Sequence, residues 1–246
     1  TSQVIIGVGT VKKIVLTKIE KMSKDSIEAL IRMKDMSTLE KLTKTKKTQF
    51  LMIDGYEKAN YCGGKNSTEC SLILCEGKSA KALVLSGLNN QIYDKYGHNY
   101  FGVYPLRGKL LNTRNASIST INKNKIVKEL LQILCIKFNV DYTVDEEYKS
   151  LSYGRVILME DADCDGIHIE GLILNLFHSL CPTLLKRNKP FVVSMKTPIV
   201  RILSTKKNIP DILFYDENHF IRWREQQTKS FKMRYYKGLG SINDKD

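Results

Sequence analysis

The sequence predicts an α/β fold: a largely parallel sheet with helices on both faces, preceded by an amphipathic helical arm. Three observations predict it. The runs Ser71–Cys75 (SLILC) and Arg155–Met159 (RVILM) have strand length and lack the in–out alternation of a half-solvated strand, so both faces are expected to be buried. Segments of helical periodicity alternate with such runs along the chain, which is the pattern of crossover connections in a parallel sheet. Acidic residues stand directly after both runs, at the carboxyl ends of strands, where sites form in sheets of this kind.

The elements follow in order. Between Val11 and Met36 apolar residues recur at helical spacing (Val11, Ile14, Val15, Ile19, Met22, Ile27, Leu30, Ile31) among Lys, Glu, Asp and Ser. Thr43–Thr48 (TKTKKT) reads as a basic linker. Residues 1–50 are therefore expected to be an arm, and residues 51–246 one α/β domain. After the strand at 71–75, Ser79–Leu88 is expected to be a helix closed by Gly87, and Phe101–Pro105 a strand. Lys123–Phe138 is strongly amphipathic and reads as one helix. After the strand at 155–159, Ile169–Leu180 places Ile169, Leu172, Ile173, Leu176, Phe177 and Leu180 on one face, and Pro182 ends it. Phe191–Ser194, Ile199–Leu203, Ile212–Tyr215 and Lys232–Tyr236 complete the expected strands, with a helix at Phe220–Glu225.

Composition bounds the function. The chain has 246 residues, enough for a sizeable core, and 42% of them are hydrophobic. No apolar run approaches the roughly 20 residues that span a bilayer, so no membrane partner is expected. Lys and Arg number 39 against 26 Asp and Glu, a net charge of +13 that favours polyanions such as nucleic acid. The six cysteines form no CxxC pair, which argues against structural zinc and for free thiols in a reducing, intracellular compartment. The chain starts with Thr, as expected for a piece of something longer.

The chemistry concentrates in two motifs. Glu76 opens Glu76-Gly77-Lys78-Ser79-Ala80, and Asp161-Ala162-Asp163-Cys164-Asp165-Gly166 follows RVILM. Neighbouring strand ends would bring four carboxylates close together, and such a cluster repels itself unless a cation or protons relieve it. Magnesium suits hard oxygen ligands of this kind. An EF-hand calcium loop is excluded: its twelfth position must be acidic, and counting from Asp161 that residue is Leu172.

These residues resemble a known family. EGKSA followed by ILMEDADCDG resembles the TOPRIM signature shared by topoisomerases, primases and some nucleases. Asn66–Cys70 (NSTEC), Pro105–Asn112 (PLRGKLLN), His168–Leu172 (HIEGL), Thr197-Pro198-Ile199 and Tyr235–Gly240 (YYKGLG) narrow the likeness to type IIA DNA topoisomerases of the eukaryotic kind, viral relatives included. The likeness covers residues 54–243. Residues 1–50 resemble, loosely, the end of the transducer region that precedes TOPRIM.

The resemblance implies a homodimeric, ATP-dependent enzyme that cleaves double-stranded DNA, passes a second duplex and religates the first. It implies Mg²⁺ at two sites, with Mn²⁺ or Ca²⁺ able to substitute. Glu76, Asp161, Asp163 and Asp165 are the implied metal ligands, and Glu76 also the catalytic acid–base group at the departing 3′ oxygen. Lys78, Arg107, Lys109, His168, Lys237 and Gly238 are the implied DNA contacts. The nucleophilic Tyr and the ATP site of the family lie on other domains. The implied location is the nucleus for a eukaryotic protein, and the host cytoplasm or virus factory for a viral one. Alternatives are a TOPRIM nuclease or primase, which would need its own nucleophile or activated water, and a non-catalytic DNA-binding module. Two positions depart from the family pattern: Lys78 stands where Asp is usual, and Glu160 where Thr is usual.

Overall fold

The computed structural model describes residues 53–89, 97–108, 110–161, 163–204, 209–228, 230–236 and 238–239, together with Lys21, Lys24 and Ser37. Apart from those three positions, the arm expected over residues 1–50 lies outside the described residues.

Strands β1 (Ser71–Glu76), β2 (Phe101–Leu106), β3 (Arg155–Met159) and β4 (Val192–Ser194) form a four-stranded parallel sheet in the order β2-β1-β3-β4. The apolar runs are central because both their faces are covered. On one face Leu72, Leu74, Tyr104, Leu106, Val156 and Leu158 pack in the main core. Helices α1 (Gly77–Asn89), α2 (Gly97–Tyr100), α3 (Ile118–Lys123), α4 (Lys125–Leu134), α5 (Asp145–Lys149) and α6 (Cys164–Leu180) surround the sheet. That main core is completed by Val127, Leu130 and Leu131 of α4 and by Ile169, Ile173 and Phe177 of α6. On the opposite face Ile73, Cys75, Val103 and Met159 pack against Ala80 and Val84 of α1. Helices therefore cover both faces, as the continuous apolar runs required.

Three local expectations are revised. Helix α1 runs through Gly87 to Asn89. A glycine costs an interior helix only about 1 kcal/mol, and packing of one helix face outweighs it. The segment expected as one helix from Lys123 is two, because Asn124 ends α3 and starts α4 with its side-chain oxygen accepting from Val127 N–H at 3.0 Å. Helix α6 begins at Cys164, five residues before the expected start, with Asp163 as its N-cap.

The last three strands leave the parallel sheet. β5 (Val200–Leu203), β6 (Ile212–Phe214) and β7 (Lys232–Tyr235) form an antiparallel sheet in the order β6-β5-β7. Helix α7 (Glu217–Glu225) closes it through Phe220, which joins Val200, Ile202 and Phe214 in a separate core flanked by Trp223 and Phe231. Trp223 stacks edge-on to Phe231 with ring centres 5.0 Å apart, so it is a packing residue. The chain then returns to the first sheet, where Leu239 is buried among Ile73, Cys75 and Met159.

Candidate metal centre

The site is built at the carboxyl ends of β1 and β3. Register pairs Cys75 with Met159, so the next residues, Glu76 and Glu160, stand side by side on strands roughly 4.8 Å apart. Both continue the phase of Leu74 and Leu158 and so face the side of the sheet covered by α6. Glu76 is exposed, and Gly77 follows it with φ +75°, a left-handed conformation that turns the chain directly into α1.

The aspartates have distinct placements. Asp161 is half-buried, and its Oδ1 accepts from Leu239 N–H at 2.8 Å. A Cβ on Gly238 would lie 2.7 Å from Asp161 Oδ2, so glycine is what lets this returning loop close on the acid. Asp163 is exposed and caps α6, its Oδ1 accepting from Gly166 N–H at 2.8 Å. Asp165 is exposed in the first turn of α6, where the helix dipole favours a negative charge. Gly166 sits inside that first turn. A side chain there would collide with the Asp161 carbonyl and touch Glu160 Cβ, so its absence allows α6 to start directly over the strand end.

Glu160 is the site residue to which sequence reasoning gave no role. It is only 4% exposed, and neither carboxylate oxygen has a hydrogen-bond partner. Burial, then the negative fields of Glu76, Glu170 and Asp161, push its pKa up to about 8. Glu170 is itself engaged: it accepts from Lys196 Nζ at 3.0 Å and from the Ser194 hydroxyl. Strand alternation carried the signal, since Val156, Leu158 and Glu160 share a phase that points into the core.

The donors fit a hard divalent cation. All are carboxylates, and Glu160 offers two buried oxygens with no other partner. Among the described residues no three acidic, His or Cys side chains stand together closely enough to hold a metal ion. Magnesium commonly takes one or two carboxylates and keeps several waters, so an open arrangement suits it.

The expected DNA contacts are partly described. Lys78, in the first turn of α1, and His168, on α6, are exposed. Arg107 follows β2 and is engaged by Asp54, forming an ion pair with its carboxylate and donating to its carbonyl at 2.9 Å. The pair holds the Asp54 carboxyl below the usual carboxylate range. Gly238 lies against Asp161. Lys109 and Lys237 lie outside the described residues.

Parallel strands ending in acids, with an Asp-rich helix start beside them, define a Toprim-type centre, and the chain belongs to the Toprim domain family. Residues 71–195 match the Toprim domain, and residues 195–246 match the C-terminal associated domain of TOPRIM. The second match covers the antiparallel sheet and the returning loop. Within the family the chain is similar to type IIA topoisomerases. It is 40% identical over 225 residues to DNA topoisomerase 2 top-2 of Caenorhabditis elegans, covering 90% of this chain and 14% of that protein. It is 34% identical over 244 residues to DNA topoisomerase 2 of Invertebrate iridescent virus 6, covering 94% of this chain and 22% of that protein. A crystal structure of the Plasmodium falciparum topoisomerase II DNA-binding, cleavage and re-ligation domain superposes with a TM-score of 0.67 at 37% identity, covering 78% of this chain and 25% of that one. The chain thus spans less than a quarter of the length of these two curated relatives.

Proposed function

We propose that this chain is the metal-binding part of a type IIA DNA topoisomerase that cleaves, passes and religates double-stranded DNA as an ATP-dependent homodimer. One observation carries the reading: Glu76 and the Asp161–Asp165 segment meet at adjacent parallel strand ends, in a chain similar over most of its length to DNA topoisomerase 2.

Glu76, Asp161, Asp163 and Asp165 are the residues that would hold Mg²⁺. A bound divalent cation there offsets the charge that develops on the scissile phosphate and its leaving oxygen. Glu76, exposed beside the site, would exchange a proton with the departing 3′ oxygen. Asp161 is fixed by Leu239, and Asp163 by its capping bond, so their carboxylates are oriented before DNA arrives. Lys78, His168 and Arg107 add cations around the strand ends, with Arg107 exchanging Asp54 for a DNA phosphate. The nucleophilic Tyr and the ATP site belong to other domains. The compartment is the nucleus for a eukaryotic source and the infected cell for a viral one. Among the described residues no helix is long and apolar enough to cross a membrane.

The test is relaxation of supercoiled DNA with ATP and Mg²⁺ by the intact protein. Glu76→Gln and Asp161→Asn are expected to lower the rate by roughly 100-fold or more, the range found when a charge-stabilising group is removed. Unchanged relaxation in both variants would count against the reading. Mg²⁺-dependent nicking by this chain alone would favour the nuclease alternative.

A further inference from the structure

The acids that the motif supplies leave one carboxylate unexplained. Glu160 is 96% removed from solvent. Both its oxygens lack a partner. A bare carboxylate in such a position is costly, and proteins meet that cost with a proton, a hydrogen bond, an ion pair or a metal ion. Its acidic neighbours Glu76, Asp161 and Glu170 supply no positive charge. The nearby cations whose partners are described are committed: Lys196 to Glu170 at 3.0 Å, and Lys81 to Glu57 at 2.8 Å. The first turn of α6 lies over Glu160 at Gly166, and Glu76 follows the same register level on the adjacent strand.

We propose that Glu160 is a further ligand of the divalent cation, forming with Glu76 a side-by-side carboxylate pair across β1 and β3. This rests on the metal-binding reading above and adds to it a position that lies outside the Glu and three Asp of the motif. Two carboxylates on adjacent parallel strands, at one register level and on one face, can grip a single cation between them. Waters and a DNA phosphate fill the remaining positions, which is the usual manner of magnesium. The exposed Glu76 gives the cation its entry, and the buried Glu160 gives it a dry anchor that solvent does not screen. Lys78, a cation where the family pattern has an acid, leaves room for this exchange: a carboxylate is absent from the first turn of α1, and one is present at the end of β3.

Calorimetric titration of Mg²⁺ and of Mn²⁺ into the intact protein, without DNA, tests it. Four proteins are compared: the unaltered chain, Glu160→Gln, Glu160→Thr and Glu76→Gln. Glu160→Gln keeps the side-chain volume and removes only the charge, and Glu160→Thr serves as a second variant, with circular dichroism to check folding of each. Glu160→Gln and Glu160→Thr are expected to weaken cation binding by roughly tenfold or more. Folded Glu160 variants that bind Mg²⁺ as tightly as the unaltered chain, while Glu76→Gln binds it weakly, would overturn the role of Glu160 and leave the metal centre standing. An unaltered chain that takes up neither cation at millimolar concentration would overturn both.

Discussion

Replacing Gly238 by Ala probes how the two ends of the domain are joined. A Cβ at this position would stand 2.7, 2.9 and 3.0 Å from Asp161 Oδ2, Cγ and Oδ1, closer than carbon and oxygen normally approach. Either the returning loop lifts or the carboxylate turns away. Both responses lengthen the bond from Leu239 N–H to Asp161 Oδ1, now 2.8 Å. A hydrogen bond to a charged group contributes about 1.5–3 kcal/mol. Lifting the loop also loosens Leu239, which is 1% exposed, and partial exposure adds a fraction of the roughly 2 kcal/mol that burying a leucine contributes. The expected loss is ~2 kcal/mol, a fall in melting temperature of roughly 4–8 °C for a protein of this size. Thermal unfolding followed by circular dichroism measures it. Gly171→Ala is the control: nothing stands within 4 Å of its would-be Cβ, and alanine is the better helix former, so its melting temperature should hold or rise slightly. Mg²⁺ affinity should fall in Gly238→Ala, because Asp161 loses its orientation, and stay unchanged in Gly171→Ala. Identical melting temperature and identical Mg²⁺ affinity in Gly238→Ala and the unaltered chain would refute the coupling of loop to acid.

Two more outcomes are expected. In chelator, the raised pKa of Glu160 (about 8, against 4.5 for an ordinary Glu) makes the folded chain bind more protons than the unfolded chain between those values, so Glu160's contribution to stability falls as pH rises from about 4.5 to 8 and levels off above. Glu160→Gln should remove that slope, gaining on the unaltered chain by at most about 1.4 kcal/mol per pH unit across that window; parallel stability–pH curves for the two would show that Glu160 is not the titrating group. Limited thiol labelling at neutral pH should mark Cys164 first, since it is exposed at the start of α6, while burial pushes Cys70 up to about 11 and Cys75 and Cys181 up to about 12. Peptide mapping that finds Cys75 or Cys181 modified ahead of Cys164 would contradict the packing described.

Much of the first sheet was legible because its strands are buried on both faces. SLILC and RVILM are uninterrupted apolar runs, a pattern that the parallel core imposes directly on the sequence. The candidate ligands were legible for a related reason: a site at strand ends places its acids directly after those runs. Helix ends were less legible. Asn124 carries an N-cap signature that the longer hydrophobic periodicity of Lys123–Phe138 masked, and Asp163 caps a helix whose polar first turn, Cys164 to His168, hides the start of its apolar face.

The sequence by itself determined the strands, the helices that cover them and the acidic segments after β1 and β3, because each is written in local periodicity and in residue type. Only the tertiary structure decided which strands pair, since pairing depends on contacts between distant segments. It drew β5, β6 and β7 into an antiparallel sheet of their own. It brought Leu239 onto Asp161, 78 residues away. It also turned Glu160 inward beside Glu76, because a strand's pleat fixes the side of each residue while only the packed helix above makes that side dry.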